Sequence, residues 1–135
     1  MAIQQKSSKI VHISLWAAQV ILAVFLISGA IMKFLPIEKI SVMMPWTGEI
    51  PKVGVRFLGV IDLLGAIGLI LPSLLRIKPQ VTPWAAVCII LLMFCAIVFH
   101  ISRGETAVIG VNIFCIVIAG FITWGRFWKA MIIAK

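Results

Sequence analysis

Charge is what this chain has least of. Only 12% of its residues are charged, four of them acidic, where a water-soluble domain carries about 25% charged residues. Strict alternation of apolar and polar residues is missing too, which excludes the strands of a membrane barrel. The chain has no CxxC pair, no HExxH and no acidic metal cluster, so the usual zinc and dithiol sites are not expected. Its two histidines, His12 and His100, fall at opposite ends of any helical bundle, so they cannot both ligate one haem iron; neither haem nor metal is expected. Basic residues form no stripe, and the net charge of +8 is spread over the ends of apolar blocks. That distribution excludes nucleic-acid binding and suits anionic headgroups. No internal repeat, inverted half or unwound filter is visible, which argues against a channel.

What remains is apolar. Hydrophobic residues make up 63% of the chain, with a mean hydropathy of +1.21. The fold expected is all-α: one domain, residues 1–135, as an antiparallel four-transmembrane-helix bundle, because a lone strand cannot satisfy its backbone in lipid. The helices are expected over about 12–35, 53–71, 84–101 and 107–124, with an amphipathic tail over 125–135. The opening resembles a signal peptide, but its apolar core exceeds the usual 7–15 residues and Lys33 sits at the would-be cleavage site, so a retained helix is expected. Cys88, Cys95 and Cys115 lie within apolar blocks and read as small hydrophobes.

Pro36 should end the first helix and Pro72 the second. The long joint over 36–52 carries Met43, Met44 and Trp46. It either anchors in the interface or folds back over the mouth of the bundle, anchoring being the plainer expectation. With four crossings, Lys6, Lys9, Arg76, Lys78, Arg126, Lys129 and Lys135 share one side. Lys33, Lys39, Lys52, Arg56 and Arg103 share the other with three acids. The positive-inside rule then places both termini in the cytoplasm.

One stretch organises the rest: VGVRFLGVIDLLGAIGLIL, residues 53–71, long enough to span roughly 28 Å. Asp62 sits inside it, and an ionised carboxylate in hydrocarbon needs a partner, a proton or water. Gly59, Gly65 and Ala66 share its face and would let another helix come close. Gln19, Leu22, Leu26, Gly29 and Lys33 form one line on the first helix, and Ile89, Met93, Ala96 and His100 one on the third. Asn112, Cys115, Ala119 and Thr123 form one on the fourth. An antiparallel arrangement brings Lys33, Arg56, Asp62, His100 and Asn112 to a similar depth, on the side away from the termini. Lys33 is the better counter-charge for Asp62, because Arg56 points about 120° away on the same helix. These residues, with Trp46 as a cap, form either a small-ligand pocket or structural glue; intramembrane ionisable residues are functional by default.

The sequence resembles the DoxX-like family of small four-helix membrane proteins. The likeness rests on Gly29 and Lys33, on Pro45 and Trp46, and above all on RFLGVIDLLGAIGLILP with its Gly-x-x-acid-x-x-Gly core. Met93, Ala96, His100 and Asn112 add to it. Asp62 stands where many relatives carry glutamate, a shorter reach with the same charge. The resemblance implies a bacterial cytoplasmic (inner) membrane and links to oxidoreductases, including thiosulfate–quinone oxidoreductase subunits. Distant eukaryotic relatives assemble membrane receptors. Three functions follow as expectations. The first is an accessory subunit of a quinone-linked redox system, with a quinone-like or small sulfur-containing ligand held at Lys33, Asp62 and His100. The second is a non-enzymatic subunit docking a larger membrane protein or a second copy of itself. A small proton-coupled transporter ranks below both. Neither the residues nor the resemblance decides whether the chain is an enzyme.

Overall fold

Four apolar stretches, each longer than the ~20 residues that cross a bilayer, set the architecture. The computed structural model describes residues 2–106 and 109–134, with side chains from residue 9 onward outside 107–108. Helix α1 (Ala2–Phe34) leads to a short helix α2 (Ile37–Met43) and a 3₁₀ turn (Pro45–Gly48). Helices α3 (Lys52–Leu75), α4 (Val81–Ser102) and α5 (Ile109–Trp124) follow, and a π-helical turn (Gly125–Lys129) closes the bundle. The described residues contain helices and no strands. Four spans of 26, 24, 22 and 21 residues are long and apolar enough to cross a membrane. The protein is an integral membrane protein with an all-helical four-span bundle.

Helix α1 packs most extensively on α3 and α4 on α5, with α3–α4 and α1–α5 contacts completing the ring. One rim carries the joints 36–51 and 103–106 and is called here the loop rim. The other, carrying the joint 76–80 and the tail after α5, is the terminal rim. Buried positions recur every three or four residues, as one face of a helix must: Leu15, Ala18, Gln19, Leu22, Ala23, Leu26 and Ala30 on α1, and Val55, Gly59, Asp62, Ala66, Leu69 and Ser73 on α3. Cys115, Ala119 and Ile122 do the same on α5. Side chains such as Phe25, Leu64, Leu91, Phe94 and Val117 remain exposed; in a bilayer they face lipid. Cys115 is buried as a small hydrophobe, whereas Cys88 and Cys95 lie on that exposed surface.

Several helix ends differ from the sequence expectation. Helix α1 begins at Ala2 rather than near residue 12, since nothing in the polar opening breaks a helix. Helix α4 begins at Val81, taking Pro83 into its first turn, where a missing N–H costs nothing. The expected start of the last helix at Ala107 falls outside the described residues, as do Lys135 and the side chain of Lys6.

The main correction concerns Pro72, which does not end the second span. Helix α3 runs through it to Leu75. A proline in a helix leaves the carbonyl four residues earlier without its N–H and crowds that turn, which in lipid demands a replacement donor. Here Thr82 of α4 supplies it, its hydroxyl donating to the Gly68 carbonyl at 3.0 Å. One residue on, Gln19 of α1 donates through Nε2 to the Leu69 carbonyl at 2.6 Å. Ser73 and Thr82 share a further hydroxyl–hydroxyl bond of 2.7 Å. The break is thus bridged from two neighbouring helices. Arg76, in the left-handed conformation (φ 56°), then stops α3.

A double-mutant cycle tests this repair. Thr82→Val should lower stability by about 1 kcal/mol in detergent unfolding, and by clearly less in a Pro72→Ala background, where residue 72 regains the N–H that Gly68 lacks.

Candidate functional site

Antiparallel packing of α1 and α3 aims two side chains at each other. Every Cα–Cβ bond tilts toward its own helix N-terminus. Lys33, near the loop-rim end of α1, therefore leans into the membrane, while Asp62 on α3 leans toward the loop rim. They meet: Lys33 Nζ donates to Asp62 Oδ2 at 2.6 Å. Their side chains are only 15% and 6% exposed, so the pair is held away from water. Gly29 lies one turn before Lys33, where an added Cβ would stand 3.4 Å from Asp62 Oδ2 and 3.5 Å from Lys33 Nζ. A larger side chain there would crowd both charges, and glycine keeps bulk off them.

Arg56 does something else. Its Nη1 donates to the carbonyl of Lys33 and, at 2.7 Å, to that of Leu35. A helix leaves its last carbonyls unpaired, and a cation there also meets the negative end of the dipole. Arg56 thus caps α1 and fixes the turn that carries Lys33, without touching Asp62 itself.

His100 and Trp46 form a second cluster at the loop rim. The Trp46 ring stands edge-on to Phe99 and His100, with centroids 6.1 and 6.3 Å apart, so the α1–α3 joint folds back onto α4. Arg103 ties it down, pairing with Glu49 of that joint and with Glu105, and its guanidinium lies 5.5 Å above the Phe99 ring. His100 Nδ1 is 3.5 Å from Glu105 Oε1, too far for a good hydrogen bond. It is buried without a hydrogen-bond partner among the described residues. The hydrogen bond from Arg103 holds the Glu105 carboxyl below its ordinary range, with a smaller contribution from His100. Asn112 is half-buried on α5 and hydrogen-bonds to none of the described residues. Of the six residues picked from sequence, Lys33 pairs with Asp62 and Trp46 packs on His100, while Arg56 is a cap and Asn112 stands apart. Among the described residues no three His, Cys, Asp or Glu side chains converge as a metal would require.

A third polar cluster, at the terminal rim, escaped the sequence. Arg126 is 3% exposed and not spread along the headgroups as a tail residue should be. Its Nε donates to Gln19 Oε1 at 2.7 Å and its Nη1 to His12 Nδ1 and the Ala130 carbonyl, both at 2.9 Å. Since His12 accepts at Nδ1, its proton sits on Nε2. The π-helical turn, with Ala130 N donating to the Gly125 carbonyl at 2.6 Å, turns Arg126 inward. Gly125 makes room, because a Cβ there would stand 2.4 Å from Leu15. The available signal was Gln19, an amide in an apolar helix that had to have partners.

Four membrane-spanning helices around a buried lysine–aspartate pair define a class, the small polytopic membrane proteins with a polar centre. Within that class the chain belongs to the DoxX-like family, whose profile matches residues 17–122. No curated protein and no solved structure matches it.

Two outcomes check this geometry. Removing one partner of a buried ion pair strands the other charge, so Asp62→Ala should lower stability by about 3–5 kcal/mol in detergent unfolding. The Lys33→Met, Asp62→Leu double variant should lie close to the parent. Glu105, its folded pKa depressed, helps hold Arg103 against the 36–51 joint fully above its unfolded value near 4.5, and that support is lost as pH falls through the lower folded value. Hydrogen-exchange protection over residues 45–49 should therefore fall in acid below pH 4.5, and Glu105→Gln should shrink that change without removing it, because Glu49 also pairs with Arg103.

Proposed function

We propose that this protein is a membrane accessory subunit of a redox system and that its loop-rim polar centre receives the head of a quinone-like ligand. The observation that carries the proposal is the Lys33–Asp62 pair, buried at 2.6 Å on helix faces otherwise lined by small and apolar residues. As glue it is a poor return: polar contacts between membrane helices contribute about 1 kcal/mol each, against several to desolvate two charges. The buried Nδ1 of His100, without a hydrogen-bond partner among the described residues, supplies a second polar atom suited to a ligand oxygen. Membership of the DoxX-like family, whose relatives are often tied to redox systems, supports the same reading.

A quinone supplies two-electron, two-proton redox chemistry when bound. The chain's own residues would hold it: Lys33 donates a hydrogen bond to one carbonyl oxygen, Asp62 keeps that ammonium charged, and Trp46 with His100 closes the loop-rim side. Asn112 would line the α5 side, and Arg56 would hold the α1 end in place. By the positive-inside rule we place this centre toward the outer face of a bacterial inner membrane, with both termini in the cytoplasm.

A second reading is favoured by α4. Only 11% of its most apolar window is buried, against 33% for each of the other three spans. Such a helix is free to dock a larger membrane protein, with the polar centre purely structural.

The two readings part on purification in mild detergent. The first expects co-purified or added menaquinone analogue to bind, and Asp62→Asn to weaken binding at least tenfold while the helical circular dichroism is retained. A protein that binds no quinone and merely unfolds on Asp62→Asn, or that arrives with a stoichiometric membrane partner but no ligand, sinks the first reading in favour of the second.

A further inference from the structure

Acidic residues are absent from the terminal rim. The four in the whole chain are Glu38, Glu49, Asp62 and Glu105. Three belong to the loop-rim joints, and Asp62 is already paired with Lys33. Yet Arg126 is buried at the terminal rim, 3% exposed. All its hydrogen-bond acceptors are neutral: an amide oxygen, an imidazole nitrogen and a backbone carbonyl. Its Nη2 is buried with no partner among the described residues, and the guanidinium lies 5.7 Å above the Trp16 ring. A buried cation without an anion is expensive in a protein and more so at a membrane. No acidic side chain lies on this side, so an anion held in the groove would supply the missing counter-charge.

The surroundings narrow what that molecule is. Arg126 lines a groove between the 78–81 joint and the tail, together with Lys78, Gln80, Trp84, Met131 and Ile133. Two cations and an amide occupy it, and the remaining walls are apolar. A guanidinium fork beside an ammonium suits a phosphate oxygen set. Apolar walls beside it suit a ligand whose other end is greasy. The tail wall is non-helical, tethered by Arg126 to the Ala130 carbonyl and by Arg76 Nε to the Ile133 carbonyl at 2.8 Å. A shift of this segment, which breaks at most these two tethers, would open Nη2 to the groove. Arg126 itself follows a π-helical bond, a feature that often accompanies functional sites.

We propose that this groove binds a phosphate group, that of an acidic phospholipid. Arg126 Nη2 and Lys78 Nζ donate to it, and Trp84, Met131 and Ile133 lie against the glycerol and acyl stem. Free inorganic phosphate offers the same oxygens without the stem. The site lies at the opposite rim from the Lys33–Asp62 centre and does not depend on the function proposed for it.

The full chain, delipidated in neutral detergent, is titrated with phosphatidylglycerol or phosphatidylcholine and followed by native mass spectrometry and hydrogen exchange over residues 130–134. Phosphatidylglycerol should bind with a half-saturating concentration roughly tenfold below that of phosphatidylcholine, and should slow exchange in the tail. Lys78 is exposed, so Lys78→Gln keeps the fold; it should weaken phosphatidylglycerol alone, by about three- to tenfold. Arg126→Lys, which keeps the charge but loses the fork, should weaken it as well. Millimolar orthophosphate separates the sources: competition with the lipid, with tail protection of its own, assigns the site to the free anion, and no competition assigns it to the lipid. Equal retention of the two lipids with no tail protection by lipid or phosphate overturns the proposal. A phosphatidylglycerol preference unchanged in Lys78→Gln puts the lipid elsewhere and overturns it too.

Discussion

Inside a bilayer a polar group has no water to turn to, so every donor, acceptor and charge within the spans must find its partner in the protein or in a ligand. That constraint shapes this bundle more than apolar packing does, since lipid tails solvate leucine as well as a helix face can. Each place where two helices are pinned together is a place where one of them carries an otherwise unpaired group. Asp62 pins α3 to α1 through Lys33. The Gly68 and Leu69 carbonyls near Pro72 pin α3 to α4 and α1. Arg126 pins the end of α5 to α1 through Gln19 and His12. Gln19 serves two of these at once, donating to α3 and accepting from Arg126, which couples the proline break to the terminal-rim cluster.

The sequence revealed the fold because its signals are composition and length: four apolar blocks of membrane-spanning length leave little choice of architecture. The Lys33–Asp62 pair was legible for a geometric reason. Helix periodicity put Gly29 and Lys33 on one line, antiparallel packing fixed the depth, and only one cation had both. Arg56 is much nearer to Asp62 in sequence, but about 120° of helix rotation sends it to the carbonyls of α1 instead.

What escaped reading is equally physical. Pro72 looks like a stop because proline removes a local hydrogen bond, and local sequence cannot show that Thr82, across a turn, restores the acceptor's partner. Arg126 looks like a headgroup anchor because aromatic and basic residues surround it. Its burial depends on a turn with an i to i−5 bond and on a glycine that admits Leu15, neither of which has a periodic signature. Trp46 reads more plainly as an interface anchor, but it packs back on Phe99 and His100, because the bridge from Arg103 to Glu49 draws the joint over α4.

The two rims therefore meet the same constraint in opposite ways. At the loop rim acids and bases are matched within the chain: Lys33 with Asp62, and Arg103 with Glu49 and Glu105. A ligand entering there finds charges already compensated and competes for their hydrogen bonds, which suits a neutral molecule with polar oxygens. At the terminal rim the described side chains supply cations and neutral acceptors, and the proposed anion site rests on that imbalance. A charge distribution that first reads as orientation alone thus also underlies the two different ligands proposed for the two ends of the bundle.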